Sequence, residues 1–171
     1  MRLGEYPQAA GSPDGAGELR PRAVTANGLD RSRPASVGDE SAALQSLGFS
    51  KPLIERLSKR ARQNNTTLET ELLHHPGIQE DAYYGAMARF LRLPFADRID
   101  AGTVVDTTHL DTQLRRPSMV RLQHARTAPQ VAIVPEAGRL AELAAALINL
   151  PMLGRDLTIT TPSAIRKAVW A

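Results

Sequence analysis

The chain has 171 residues, of which 42% are hydrophobic, 23% charged and 4% aromatic. This length suits one ordinary domain or two very small ones, and the composition is typical of a globular protein with an aliphatic core. The 21 basic and 18 acidic residues nearly cancel, to a net charge of +3. Balanced charge and few aromatic side chains disfavour a nucleic-acid-binding protein. The chain has no cysteine, which excludes disulfides, thiolate metal sites and thiol catalysis.

The sequence carries no signal for export or for membrane insertion. Its N-terminus lacks the basic-then-apolar pattern of a secretory signal. No stretch approaches the roughly 18 to 20 apolar residues of a membrane span. We therefore expect a cytoplasmic protein without a transmembrane segment.

Residues 1–40 differ in composition from the rest of the chain. They contain six Gly and four Pro and few large apolar residues. Such a segment cannot bury enough surface to offset the entropy lost on ordering, so we predict a disordered tail. Its five Arg are outnumbered by six Asp or Glu, so it is not a basic arm for nucleic acid.

Residues 41–95 are predicted to form a helical subdomain. The first helix stops at Gly48, a residue that favours helix termination. Ser50 then caps a second helix, with Pro52 in its first turn. Apolar residues at helical spacing define the inward face of this second helix, and basic residues lie around the rest.

Two further helices complete this subdomain. Thr66 and Glu69 have the spacing of a capping box, which predicts a third helix that is broken by the His-Pro-Gly sequence at 75–77. A fourth helix is predicted from about Gln79. The Leu-Pro-Phe sequence at 93–95 closes the unit.

Residues 96–171 are predicted to form a small α+β subdomain. An Ala- and Leu-rich helix is predicted at 138–149, and Thr161 with Pro162 opens a last helix. The strand patterns cover residues 119–123, 131–134 and 157–160. The fold class is therefore α+β, a helical subdomain followed by a small sheet with helices packed on one face.

The order of these elements resembles the N-terminal domain of type II secretion and type IV pilus ATPases (GspE-like). The strongest similarity includes Gly-Ile-Gln-Glu-Asp at 77–81 and extends through an Ala-rich helix to Leu-Pro-Phe at 93–95. In the second half, residues 131–134 stand where the family has a Val-Ala strand, and 157–168 where a strand leads into its closing helix. The similarity covers residues 41–171, which together resemble one such domain.

A similar domain occurs ahead of bacterial family 2 glycosyltransferases, and Tyr83-Tyr84 and the Ala-Val-Trp sequence at 168–170 resemble that subgroup. The resemblance implies a non-catalytic regulatory or docking domain. Its partner would be the glycosyltransferase catalytic domain of a polysaccharide-synthesis system, in cis or in trans, or a secretion-type membrane platform. Any catalytic residues of a longer parent would lie beyond Ala171, and the Gly-rich Lys-Ser/Thr loop of the ATPases is missing here.

Some relatives bind cyclic di-GMP through a repeated Arg-Leu-Gly motif, so a sensor with a degenerate site is the alternative function. In such a motif arginine pairs with phosphate or guanine and glycine lets the backbone approach. Here the second site is Thr-Leu-Glu at 67–69, whose acid repels phosphate, and the first has only Leu-Gly at 47–48. The Arg-Leu-Gly at 2–4 lies in the predicted tail. The sequence thus argues against cyclic di-GMP binding.

No set of residues in the sequence is suited to catalysis, to a cofactor or to a metal. Asp97 with Asp100, or Asp106 with Asp111, come nearest to the paired aspartates of a sugar-nucleotide site, but their spacing better fits a linker or solvated helix ends. The histidines at 74–75 would point about 100° apart on a helix, so they are better suited to its C-terminus than to one metal. We expect no cofactor.

The remaining candidate is a docking face on the second helix. Such a face could bind anionic lipid headgroups, which would place the protein at the inner face of the cytoplasmic membrane, or an acidic partner surface. The alternative is a merely solvated helix surface. Its members are Lys51, Arg56, Lys59, Arg60 and Arg62. A second basic group, with a solvated loop and hairpin as its alternative, is Arg115, Arg116, Arg121 and Arg126.

Overall fold

The computed structural model describes residues 36–105, 115–124 and 128–171 of the chain. The helices in these residues are α1 (Val37–Ser46), α2 (Lys51–Asn64), α3 (Leu68–Leu73), α4 (Glu80–Leu91), α5 (Leu140–Asn149), α6 (Leu153–Asp156) and α7 (Pro162–Trp170). The strands are β1 (Phe95–Ala96), β2 (Met119–Leu122), β3 (Gln130–Ile133) and β4 (Leu157–Thr160). Short 3₁₀ turns span Ala101–Thr103 and Ala137–Arg139. The predicted α+β class is confirmed. None of the helices in the described part of the chain has the length and apolarity to cross a bilayer.

Strand β4 lies at the centre of the fold. The sheet has the order β1-β4-β3-β2, in which β4 pairs in parallel with both β1 and β3, and β2 is antiparallel to β3. Two adjacent parallel strands need a long crossover, and α5 and α6 supply it between β3 and β4. All four residues of β4 are buried, so both faces of the strand are covered.

One face of the sheet packs against the helices that precede it. Val131 and Ile133 of β3 are register partners of Leu157 and Ile159 of β4, so all four point to this side. They join one apolar cluster with buried residues of α1, α2, α3, α4 and α5. This cluster is the main core of the protein.

The opposite face of the sheet is covered by α7. Val120 and Ala132 are register partners that alternate away from the main core, and they pack with Leu122 and with Ile165 of α7. The helices are therefore not confined to one face of the sheet, and that part of the sequence prediction is wrong. Helix α7 directly follows β4, and β4 has buried side chains on both of its faces.

Helix α1 begins within the stretch that was assigned to the tail. Ser36 is its N-cap: the Ser36 hydroxyl accepts from the Asp39 backbone N–H at 3.2 Å, and the Asp39 carboxylate accepts from the Ser36 N–H at 3.2 Å. Glu40 is already only 5% exposed. Helix α1 therefore includes residues 37–40 of the predicted tail at 1–40, and residues 1–35 of that tail lie outside the described residues.

The predicted capping box of α3 is displaced by one residue. Thr67, not Thr66, is the N-cap, and its Oγ1 accepts from the Thr70 N–H at 3.1 Å. The Thr66 hydroxyl donates instead to Glu71, at 2.6 Å. Glu69 is thereby left to make contacts outside its own helix.

The end of the predicted helical subdomain contributes a strand. Phe95 and Ala96 pair with Ile159 and Thr160, and the Thr160 hydroxyl donates to the Ala96 carbonyl at 2.8 Å. The Leu-Pro-Phe sequence at 93–95, predicted to close the helical unit, therefore also contains the first residue of a strand. The main core continues across this point, and Pro34–Ala171 forms one compact unit.

Gly48 provides a test of the turn between α1 and α2. Its φ is +93°, and a Cβ added there would meet nothing within 4 Å, so any cost of Gly48→Ala is conformational rather than steric. We expect that substitution to lower the free energy of unfolding by about 1–2 kcal/mol, as measured by urea denaturation.

Gly38, in the first turn of α1, is the matched control. A Cβ there lies at an ordinary 3.5 Å from the Ser36 Oγ, and its φ is not positive. Gly38→Ala should stabilise the protein by roughly 0.4–1 kcal/mol. If Gly48→Ala were as stable as Gly38→Ala, the left-handed turn would be contradicted.

Candidate functional site

Helix α2 is held firmly enough to present a defined surface. Ser50 occupies the N-cap position with extended backbone and Pro52 lies in the first turn, as predicted, although the Ser50 side chain makes no capping hydrogen bond. Asn65 ends the helix in the left-handed conformation, at φ 53°. Ile54 and Leu57 are 4% and 1% exposed in the main core, which fixes the rotation of the helix about its axis.

The predicted docking face lies on the outer side of α2, and all five of its basic residues are exposed. At about 100° per residue, they cover roughly half of the helix circumference. Lys51 and Arg62 fall together at one edge, whereas Arg56 and Arg60 fall at the other with Lys59 between the edges. Glu55 is the acidic residue within this surface. The face is therefore basic, with a pair of cations at each edge and Lys59 between the two pairs.

A cavity of about 290 Å³ opens at the edge of the face that carries Arg56 and Arg60. Its basic lining comes from Arg56, Lys59 and Arg60, so the structure brings three of the five predicted residues together. Lys51 and Arg62 are not among its lining residues. The full lining is Leu53, Arg56, Leu57, Lys59, Arg60, Gln63 and His75.

His75 enters this cavity from the end of α3. Helix α3 has only six residues, and His74 is its C-cap, with Nδ1 at 2.7 Å from the Thr70 carbonyl. The His75 backbone N–H donates to the Leu72 carbonyl, and its Nδ1 accepts from the Gly77 N–H at 3.2 Å. The predicted position of both histidines near a helix C-terminus is confirmed. The position of His75 in the same cavity as the α2 residues could not be predicted, because the packing of α2 against α3 has no local sequence signal.

A buried carboxylate occupies the N-terminus of α3. Glu40 of α1 accepts from the Leu68 backbone N–H at 2.8 Å, and the Glu69 N–H adds a second bond. Burial raises the pKa of Glu40 above its usual value, and these two hydrogen bonds oppose that rise. A negative charge at a helix N-terminus is favourable, and here the chain supplies its own.

Glu69 connects three elements of the core. One carboxylate oxygen accepts from the Tyr83 hydroxyl of α4 at 2.8 Å, and the other accepts from the Ala137 N–H, ahead of α5, at 3.0 Å. Burial raises the pKa of Glu69 to about 7, while the Ala137 and Tyr83 hydrogen bonds lower it and the charges of Glu40 and Glu136 raise it further. The residue is structural, and no sequence signal had indicated this role.

These two carboxylates belong to or contact residues 67–69, where the sequence resemblance implies the second cyclic di-GMP motif of some relatives. Residues 67–69 are the Thr-Leu-Glu sequence that stands in place of Arg-Leu-Gly. The backbone N–H groups of Leu68 and Glu69 are already bonded to Glu40, and the Glu69 side chain is already bonded to Tyr83 and Ala137. A phosphate at this helix terminus would have to displace Glu40.

A larger cavity of about 820 Å³ lies where β1 and β4 end. Asp97 and Asp100 line it together with Glu80 and Asp81, and Asp100 accepts from the Gly102 N–H at 3.0 Å. In the described ranges no group of three acidic or histidine side chains is arranged to hold a metal ion. Asp106 and Asp111 lie outside the described residues.

The second basic group is only partly described. Arg115, Arg116 and Arg121 are exposed, and Arg121 has an interaction partner. Arg126 lies outside the described residues. None of these arginines lines the cavity beside α2 or the cavity at the ends of β1 and β4.

The likeness of this chain to known proteins comes from solved structures. No protein-family model matches the chain, and no curated protein matches it. Among solved structures, the chain is similar to a structure of MshE with cdg, with 18% sequence identity and a TM-score of 0.47. The alignment covers 80% of this chain and 97% of that chain.

The position of Glu69 predicts how stability depends on pH. Its pKa is 4.5 in an unfolded chain and about 7 in the folded protein, so between these values the folded protein holds a proton that the unfolded chain has lost. The free energy of unfolding should therefore fall as pH rises through this window, by an amount on the order of 3 kcal/mol for a shift of this size. Glu69→Gln should flatten that fall, as measured by urea denaturation at several pH values.

Glu71→Gln is the control for this experiment. Glu71 is on the same helix, but hydrogen bonds from Thr66 and Asn64 lower its pKa, so its contribution is lost only as the solution becomes acidic. Glu71→Gln should therefore keep the fall between pH 4.5 and 7. Equal slopes in wild type and Glu69→Gln would contradict the assigned role of Glu69.

Proposed function

We propose that this chain is a non-catalytic regulatory domain that docks through the basic face of α2. The observation that carries the proposal is the arrangement of Lys51, Arg56, Lys59, Arg60 and Arg62, all exposed on a helix whose other side is fixed in the core. A rigid charged surface recognises a complementary surface with little loss of entropy on binding. The cavity among three of these residues further distinguishes the face from an evenly solvated helix.

The partner proposed for this face follows from the family resemblance of residues 41–171. It is the catalytic domain of a membrane-associated family 2 glycosyltransferase for polysaccharide synthesis, in cis or in trans, or a secretion-type membrane platform. An acidic surface on that partner, or the anionic lipid beside it, complements the basic face of α2. Such a location is at the inner face of the cytoplasmic membrane.

Regulation by this domain requires a difference in affinity between two states of its partner. A domain that binds the active conformation more tightly than the inactive one shifts the population toward activity. The described chain has a continuous core behind α2, so the domain docks as one body. No chemical step is assigned to its own residues.

The docking proposal is tested by affinity capture from native membranes, with the full chain as bait and mass spectrometry as the readout. We expect recovery of a polytopic glycosyltransferase or of a secretion-platform component. The triple reversal Arg56→Glu, Lys59→Glu and Arg60→Glu should weaken this complex by roughly 10–100-fold, because each reversed charge at a complementary surface costs roughly 0.5–0.9 kcal/mol. These side chains are exposed, so the fold should persist.

Reversal of Arg115 and Arg116 to Glu is the matched control, since both are exposed basic residues on another part of the chain. This variant should retain the partner. Loss of the partner in both variants would indicate nonspecific charge attraction. Recovery of neither partner class would count against the proposal.

The alternative function is a cyclic di-GMP sensor, and calorimetry with the purified chain tests it directly. We expect no binding at micromolar concentration, because Glu40 occupies the backbone donors of α3 and both side-chain oxygens of Glu69 already accept hydrogen bonds from Tyr83 and Ala137. Saturable binding with a micromolar Kd would favour the sensor function over the docking domain.

A further inference from the structure

The polar lining of the cavity beside α2 consists of hydrogen-bond donors and one amide. Arg56 and Arg60 each present five N–H donors and Lys59 presents three, all with positive charge near neutral pH. Gln63 adds an amide group that can donate. No Asp or Glu is among the residues that line this cavity.

His75 adds a donor of defined position. Its Nδ1 accepts a hydrogen bond from the Gly77 N–H, so the neutral ring carries its proton on Nε2. The Nε2–H group is then available to an acceptor. Gly77 thus selects the tautomer that matches the other donors of the cavity.

The carboxylates near this cavity do not fill it. Glu71 is the acid that interacts with Arg60, but one of its oxygens already accepts from Asn64 at 2.9 Å and from Thr66 at 2.6 Å. Glu55 lies one turn before Lys59 on α2 and is not part of the lining. The positive charge in the cavity therefore exceeds the negative charge around it.

The remaining wall of the cavity is apolar. Leu57 is 1% exposed and Leu53 is partly buried, so the apolar surface that a small organic group can cover comes mainly from Leu53. A volume of about 290 Å³ suits a phosphate with a small alcohol attached to it. In contrast, the cavity of about 820 Å³ has four carboxylates in its lining, which repel a phosphate.

We infer that the cavity beside α2 binds a phosphoryl group esterified to a small alcohol, with Arg56, Lys59, Arg60 and His75 as its donors. Arginine and lysine are the side chains that bind phosphate in proteins, the former through paired N–H groups. The inference rests on the proposed function in that this cavity belongs to the docking face. It specifies what part of a membrane or of a soluble metabolite the face recognises.

The experiment is a titration of the full chain with glycerol 3-phosphate, followed by the ¹⁵N and ¹H NMR signals of His75 and of the α2 backbone. We expect a saturable shift confined to the cavity. Lys59→Gln with Arg60→Gln should weaken binding at least tenfold. Lys51→Gln with Arg62→Gln removes the same charge from the same helix outside the cavity and should change the Kd by less than about threefold.

Two results would overturn the inference. The first is an NMR shift that does not saturate with glycerol 3-phosphate. The second is an equal loss of affinity in both double variants, which would show that binding depends only on the net charge of α2. Both variants keep the buried face of the helix, and thermal unfolding checks that each is folded. Because the titration uses the isolated chain, its failure is separate from a failure to capture the membrane partner.

The source of the phosphoryl group is decided by vesicle sedimentation. Binding to phosphatidylglycerol vesicles but not to phosphatidylcholine vesicles, with displacement by glycerol 3-phosphate, would identify a lipid headgroup. Saturable binding of glycerol 3-phosphate without sedimentation would identify a soluble phosphorylated molecule. Either result supports the phosphoryl site.

Discussion

The carboxylate of Glu69 joins the two halves of the protein. It accepts from the Tyr83 hydroxyl on one side and from the Ala137 backbone N–H on the other, so α3, α4 and the entry to α5 share one buried group. An unpaired backbone N–H or hydroxyl in this position would cost about 1–3 kcal/mol. Glu40 makes a similar link between α1 and α3, because its carboxylate accepts from the Leu68 N–H at the N-terminus of α3. Polar contacts thereby fix α3 and α4 to the segment between β3 and α5, in addition to the packing of the main core.

Local signals in the sequence predicted those parts of the fold that depend on neighbouring residues. Thr161 caps α7, Gly48 ends α1, and the strand at 157–160 has the predicted bounds. Each of these features is decided within a few residues by backbone preference or by alternation.

The features that sequence analysis missed depend on distant partners. Glu69 and Ala137 are 68 residues apart, and Glu40 and Leu68 are 28 apart, so no window along the chain could pair them. Strand β1 has two residues and exists only because β4 pairs with it. For the candidate site, the exposure of the α2 cations was predictable from helical spacing, whereas the position of His75 beside them required the packing of α3.

Two cavities in the described part of the chain differ in the charge of their lining residues. The cavity beside α2 is lined by three cations and a histidine, whereas the one at the ends of β1 and β4 has more acids than bases in its lining. A protein of net charge +3 therefore has local fields that its composition does not reveal.

The central position of β4 has a consequence for how the chain folds. Ala96 and Thr160 are in contact but 64 residues apart, so β1 remains without a strand partner until β4 arrives. During synthesis, the edge of β3 that will meet β4 stays open until residue 160 has left the ribosome, even when α1 to α4 have already formed their local contacts. Long-range closure of this kind slows folding and exposes a strand edge to other chains. The helices can form early, but the sheet is completed late and from its middle strand.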